Sequence, residues 1–186
     1  MAASAPRSGG FLLPMNLQSS DFEIFDIAPA FGLDREALDQ RWKDLQREAH
    51  PDRYATADAL TQRRAMQWSV RINEAYQRLK DPVKRASYLC EINDAPIEAE
   101  NNTAMPAAFL IQQMQWREDL EEAGSADALE TMADEVALAR RDMLEGLRAT
   151  ADEQHDYPAL AQQVRALMFV ERFARDVEAR LDQQGQ

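Results

Sequence analysis

The sequence predicts an all-α protein, an N-terminal helical hairpin followed by a C-terminal antiparallel three-helix bundle. Three observations carry this. Glycine is scarce, 6 in 186 residues, while Ala, Leu, Gln, Arg and Glu dominate, and these are good helix formers. Apolar residues recur at spacings of three and four over long windows. Prolines punctuate the ends of those windows, where a missing N–H does least harm.

The elements follow in order. Residues 1–20 carry Arg7 as their one charge, and they read as a disordered tail. A transit peptide is the alternative, since acidic residues are absent there, but one arginine is too few for an amphipathic signal. Phe22, Ile24, Phe25 and Ile27 form a short apolar segment closed by Pro29. Asp34 supplies an N-cap for a helix through about Ala49. Its inward stripe is Leu38, Trp42, Leu45 and Ala49, which leaves Lys43 and Arg47 facing water. Pro51 forbids continuation and pushes His50 out of helical geometry, so His50-Pro51-Asp52 is a surface corner between helices. A second helix spans about Asp58 to Lys80, with Ala65, Trp68, Ile72, Tyr76 and Leu79 inward. A short one follows from Pro82 to Cys90, and residues 93–105 read as a linker.

Beyond it lie three helical patterns. They run from about Pro106 to Ala123, closed by Gly124 as a cap, from Ser125 to about Ala149, and from Pro158 to about Leu181. The middle one turns Leu129, Met132, Val136, Met143 and Leu147 inward. The outer two carry more apolar surface than a bundle needs. Phe109, Gln113, Trp116 and Leu120 make one stripe of the first, and Leu110, Ile111 and Met114 make another about 90° or more away. On the third, Leu167, Val170, Phe173, Ala174, Val177 and Leu181 share the core stripe, while Val164, Met168 and Phe169 turn away from it. Two readings of the extra stripe stand: burial, or an exposed patch of Leu110, Ile111, Met114 and Phe169 that docks a partner, rimmed by Arg117 and Glu118.

Charge divides the chain. Residues 21–91 hold 12 Lys and Arg against 13 Asp and Glu, whereas residues 92–186 hold 8 against 20. A net charge of −12 argues against a general nucleic-acid binder, and the asymmetry suggests two domains with different partners. No apolar run reaches the ~18–20 residues that span a bilayer. Cys90 is the single cysteine, which excludes an intrachain disulfide and permits a reducing compartment.

Catalytic chemistry finds little support. His50 and Asp52 have no nucleophile nearby, His155-Asp156 reads as turn chemistry, and Cys90 as a buried structural thiol. Two histidines and one cysteine offer no metal-site spacing, and glycine-rich phosphate loops are missing. A small helical enzyme using His50 and Asp52 is the reading from another class.

HPDR in the loop, then INEAYQRLKDP from Ile72 to Pro82 and KRASYL from Lys84 to Leu89, closely resembles a J-domain. FLIQQMQWREDLEE, residues Phe109 to Glu122, and VRALMFVERF, Val164 to Phe173, are similar to the HscB-type co-chaperones of iron–sulfur cluster biogenesis. The resemblance covers about Asp21 to Leu181. It implies a J-domain over residues 21–92 and a scaffold-binding bundle over 106–183, without enzymatic activity, metal or cofactor. The J-domain would dock on an HscA/DnaK-class ATPase chaperone and stimulate it. His50, Pro51 and Asp52 would make the switch contact, with Arg41, Lys43 and Arg47 as the basic face. The bundle would bind the scaffold IscU through Leu110, Ile111, Met114, Gln115, Arg117, Glu118 and Phe169. Gln115 stands where the family often has an acidic residue. A general J-protein for other clients is disfavoured, because a Gly/Phe linker and cysteine-rich repeats are missing. Without a convincing transit signal, the bacterial cytoplasm is expected over the mitochondrial matrix.

Overall fold

Local capping chemistry sets where the helices begin. The computed structural model describes residues 16–98 and 105–184, which contain helices and turns and, among these residues, no strand. Seven α-helices are described: α1 Asp21–Phe25, α2 Arg35–Ala49, α3 Ala59–Lys80, α4 Pro82–Ile92, α5 Ala107–Glu122, α6 Ala126–Arg148 and α7 Tyr157–Gln184. Asp34 accepts from the Ala37 N–H at 3.0 Å, and Asp58 accepts from the N–H groups of Leu60 and Thr61. Ser125 caps α6 in the same way. Each side chain satisfies an N–H that the first helical turn leaves orphaned.

The chain divides into two compact units. Among the described residues the first holds 16–29 and 33–81, and the second holds 30–32, 82–98 and 105–184. The helix Pro82–Ile92 falls in the second unit, where α4 lies against α7. Its buried face explains why. Ala86, Leu89 and Cys90 are buried there, and α7 offers a matching apolar arc.

In the first unit, α2 and α3 pair through Leu38, Leu45, Ala49, Ala65, Trp68, Ile72 and Leu79, with Phe22, Ile24 and Phe25 of α1 completing the core. Trp42 is half-buried and stacks on Tyr76 at 4.6 Å between ring centroids. Polar bonds run beside that core. Trp42 Nε1 donates to Asn73 Oδ1 at 2.9 Å, Gln46 and Ser69 exchange two hydrogen bonds of 3.1 Å, and the Tyr76 hydroxyl donates to Asp39 at 2.9 Å. The Asp21 carboxylate is fully buried between Arg71 at 2.7 Å and Arg78 at 3.2 Å, so it enters the core paired.

Residues 1–15 of the expected tail lie outside the described residues, as do 99–104 of the expected linker. The last residues of that tail are ordered. Ser20 forms a capping box with Glu23, and Arg71 donates to the carbonyls of Leu17 and Ser19. The linker also begins ordered, since Arg165 donates to the Ile97 carbonyl at 2.7 Å.

The second unit's core comes from Leu129, Met132, Val136 and Leu147 of α6 and from Leu160, Leu167, Val170, Phe173 and Val177 of α7. Met143, Ala174 and Leu181, expected inside, are only half-buried. Val164 departs from the expectation in the other direction: it is fully buried, because α7 packs against α4 as well as α6 and needs a wider apolar arc. Gly124 does not cap α5 either. The helix ends at Ala123 with φ −62° and ψ 102°, and no described glycine has positive φ. A π-helical turn, Ala149–Gln154, follows α6, and His155 closes it in the left-handed region at φ 54°.

The Cys90 thiol is fully buried, and burial pushes its pKa from 9.0 up to about 11. Folding thus keeps the neutral thiol at pH values where an unfolded chain loses its proton. The stability of the second unit should fall as pH rises from about 9 to about 11, because the unfolded state is then favoured by ionisation. Urea unfolding across that range should show the loss in wild type and a smaller one in Cys90→Ala. An identical slope in both would rule out a buried thiol.

Candidate functional site

Two surfaces carry the residues singled out by the sequence, one in each unit. The first is the corner at the end of α2. Leu45 and Ala49 are buried and fix the last turn, and Pro51 forces His50 to φ −60° and ψ 126°. A 3-10 turn over Pro51–Tyr54 then redirects the chain. The His50 carbonyl accepts from the Arg53 N–H at 3.1 Å, and His50 Nδ1 accepts from the Asp52 N–H at 3.3 Å. With Nδ1 engaged as an acceptor, the proton of the neutral ring sits on Nε2.

Further bonds hold the corner from both sides. The Tyr54 hydroxyl donates to the Glu48 carbonyl at 3.0 Å, and Arg53 Nη1 donates to the Arg47 carbonyl at 3.2 Å. These are carbonyls that the end of α2 leaves unpaired. Gln62 ties the loop's far end by donating to the carbonyls of Ala55 and Ala57. The N–H and hydroxyl of Thr61 hold the Asp58 carboxyl below its ordinary pKa, so its N-cap stays ionised well into the acid range. The His50 and Asp52 side chains nonetheless stand in water, 55% and 90% exposed.

Lys43 and Arg47 are exposed on α2, about 40° apart on the helix wheel, and Arg47 pairs with Asp44. Arg41 is half-buried and lies about 160° from Lys43, so the helix does not group it with them. A shallow hollow beside the corner is lined by Gln46, Arg47, His50 and Arg53. Gln46 and Arg53 are the additions here. Helical periodicity passes over Arg53 because it sits in the 3-10 turn, and its signal is its place directly after His-Pro-Asp.

The second surface is on α5. Leu110, Ile111 and Met114 are 43%, 68% and 63% exposed. With Arg117, Glu118 and Gln115 they occupy an arc of about 160° on the wheel, and all of them face solvent. Trp116, the one fully buried residue of α5, lies about 180° from the middle of that arc. It stacks on Phe173 at 5.4 Å, and Phe173 stacks on Phe169 at 6.2 Å. Phe169 also meets Phe109 edge-on, and the Arg117 guanidinium lies over its ring at 5.4 Å. Half-buried Phe169 is thus the seam joining α7 to the exposed arc.

The remaining candidates are structural. His155 Nδ1 is 2.9 Å from the Ala151 carbonyl, and Asp156 caps α7 through the Ala159 N–H. Among the described residues no group of three or more His, Cys, Asp or Glu is placed to hold a metal ion, and no helix is long and apolar enough to cross a membrane.

Residues 105–178 match the family described as HSCB C-terminal oligomerisation domain. A relative from Bordetella petrii, named a co-chaperone protein HscB homolog, is 48% identical over 159 residues, 85% of this chain and 94% of that protein. This chain belongs to the HscB co-chaperone family. An HscB homolog from Burkholderia multivorans is 45% identical over 171 residues, covering 90% of this chain and 97% of its own length. Chaperone HscB from Vibrio cholerae shares the fold at a TM-score of 0.77 and 33% identity, over 89% of this chain and 99% of that one. The human co-chaperone HscB has the same fold at a TM-score of 0.86, 22% identical over 95% and 88% of the two chains. The all-α expectation therefore holds, and this HscB-family chain acts as a co-chaperone.

Tyr54→Phe removes one bond from the corner and leaves the ring. It should cost about 0.5–1 kcal/mol and speed hydrogen exchange at the amides of Arg53, Ala55 and Ala57. Unchanged exchange at those amides would mean that the Tyr54 bond does not hold the turn, leaving it to Pro51 and to the bonds of Arg53 and Gln62.

Proposed function

We propose that this co-chaperone binds the iron–sulfur scaffold IscU through α5 and Phe169, and delivers it to an HscA/DnaK-class chaperone in the bacterial cytoplasm. The observation that carries the reading is the pair of surfaces: an exposed polar corner held by backbone bonds in one unit, and an exposed apolar arc in the other. The HscB relatives and the His-Pro-Asp motif support the assignment of each surface to its partner.

The chaperone contact is made by His50, Pro51 and Asp52, with Lys43 and Arg47 supplying positive charge toward an acidic groove, while Arg41 stands off that face. His50 Nε2–H and the Asp52 carboxylate offer a donor and an acceptor side by side, in a geometry that costs little further ordering on binding. The scaffold contact uses Leu110, Ile111, Met114 and Phe169 as apolar anchors, rimmed by Gln115, Arg117 and Glu118. Met114 adapts its shape to the docked surface. Carrying both sites on one chain raises the effective concentration of scaffold at the chaperone. Binding favours the hydrolysis-competent chaperone state, so capture of the scaffold is coupled to ATP turnover there.

Two measurements test the halves separately. In steady-state ATP hydrolysis by an HscA-type chaperone, wild type should stimulate turnover and act synergistically with IscU, and His50→Gln should abolish the stimulation. Stimulation by a folded His50→Gln protein would remove the corner from the mechanism. In calorimetry, Leu110→Ala with Phe169→Ala should weaken IscU binding by about 100-fold or more at unchanged helicity. Equal affinity would remove α5 from the scaffold site.

A further inference from the structure

A hollow between α5 and α7 of the second unit begins where the exposed arc ends. Phe169, Phe173 and Leu120 form its apolar floor, and Arg117, Glu121, Arg172 and Asp176 stand around it. The floor is firm, since Phe173 is buried and held between the rings of Trp116 and Phe169.

The rim carries two arginines and two carboxylates. Arg117 and Glu121 are four residues apart on α5, and Arg172 and Asp176 are four apart on α7, a spacing at which helical ion pairs ordinarily form. Arg35 and Asp39 use the same spacing and do pair, at 2.7 Å. Neither rim arginine pairs with a carboxylate among the described residues: Arg117 lies over the Phe169 ring instead, and Arg172 is exposed. Both rim guanidinium groups are thus without a carboxylate partner among the described residues, as are Arg175 and Arg180 on the same helix, and what sets the two apart is the apolar floor they share.

From this, and resting on the assignment of α5 and Phe169 to the scaffold, we infer that the docking surface extends along α7 from Phe169 to Arg172. There Arg172 and Arg117 receive a carboxylate side chain of the docked scaffold, while a neighbouring apolar group of the same partner lies on Phe169. Two guanidinium groups over an apolar floor match the chemistry of such a pair, because the floor excludes water and the guanidinium fork fits a carboxylate. The hollow is continuous with the proposed arc through Arg117 and Phe169, which belong to both. Arg172 would then act as a specificity residue, selecting an acidic group at one fixed distance from the apolar anchors.

The test is calorimetry with purified IscU at about 50 mM and about 500 mM salt, using wild type, Arg172→Glu and Arg172→Lys. Arg172 is exposed, so the fold should survive, and circular dichroism checks that. Arg172→Glu should lose about 10-fold or more in affinity at low salt, with a much smaller loss at high salt. Arg172→Lys keeps the charge and should lose less than about threefold. If Leu110→Ala with Phe169→Ala weakens binding while Arg172→Glu does not, the inference fails and the scaffold assignment stands. A loss of the same size at both salt concentrations also overturns it, since that would be packing and not charge. If wild type does not bind IscU at all, the scaffold assignment itself falls.

Discussion

The stack of Trp116 on Phe173 is the contact on which the second unit's usefulness rests. A helix of sixteen residues with a single buried side chain is held along one edge, where Phe109, Gln113 and Leu120 are half-buried, and its opposite arc is left to solvent. The stack is close to parallel, 10° between ring planes, and it continues through Phe173 to Phe169. Aromatic contacts add to the burial of apolar area because their edges and faces are complementary. Three rings therefore hold α5 in a fixed rotation about its own axis, and that rotation decides that Leu110, Ile111 and Met114 point outward. Exposed apolar side chains grouped on one helix face are the signature of an interaction site.

The hairpin solves the same problem with different materials. Its interior mixes aliphatic side chains with Phe22, Phe25 and Trp68, and a line of polar bonds, Tyr76 to Asp39, Trp42 to Asn73 and Gln46 to Ser69, fixes the register of α2 against α3. Register matters because the corner is built on the last turn of α2, and a slip along the helix would carry His50 away from its bonds. The corner gains its order from the backbone, so its side chains remain open to water. The charge of the chain divides between the same two regions: near-neutral over residues 21–91, which hold the corner, and strongly acidic over residues 92–186, which hold the apolar arc.

Much of this was legible in the sequence because periodicity reports which face a helix buries. The inward stripe of α3 and the separation of Leu110, Ile111 and Met114 from Trp116 follow from spacing alone. What periodicity reports poorly is how many neighbours a helix has. Val164 was read as off the core because the wheel was drawn for one partner, and α4 supplies a second. Gly124 was given a capping role on composition, yet the turn is made by extended backbone at Ala123 followed by the Ser125 cap. Asn16 to Ser20 look like tail because the ordering of their backbone depends on Arg71, a residue far along the chain. Arg53 carries no periodic signal, and for Arg172 the wheel of α7 reports a solvent-facing position and nothing more. Their placement beside the two surfaces is a product of the three-dimensional packing.

The Asp152 carboxylate has a consequence in time. It accepts from the backbone N–H groups of Phe31 and Gly32, at 2.6 and 2.8 Å, across 121 and 120 residues of chain. Arg85 closes the same segment from its other end by donating to the Phe31 carbonyl at 2.7 Å. A Cβ at position 32 would stand 3.1 Å from that carboxylate, so a glycine fits the approach. On a ribosome that emits the chain from its N-terminus, residues 30–32 emerge long before the turn that receives them. The α2–α3 pairing is local and can form early, whereas these bonds must wait for the completion of α6 and the turn after it. The order of synthesis thus separates the two halves of the molecule: the hairpin is the part that a nascent chain can finish first, and the second unit is closed last.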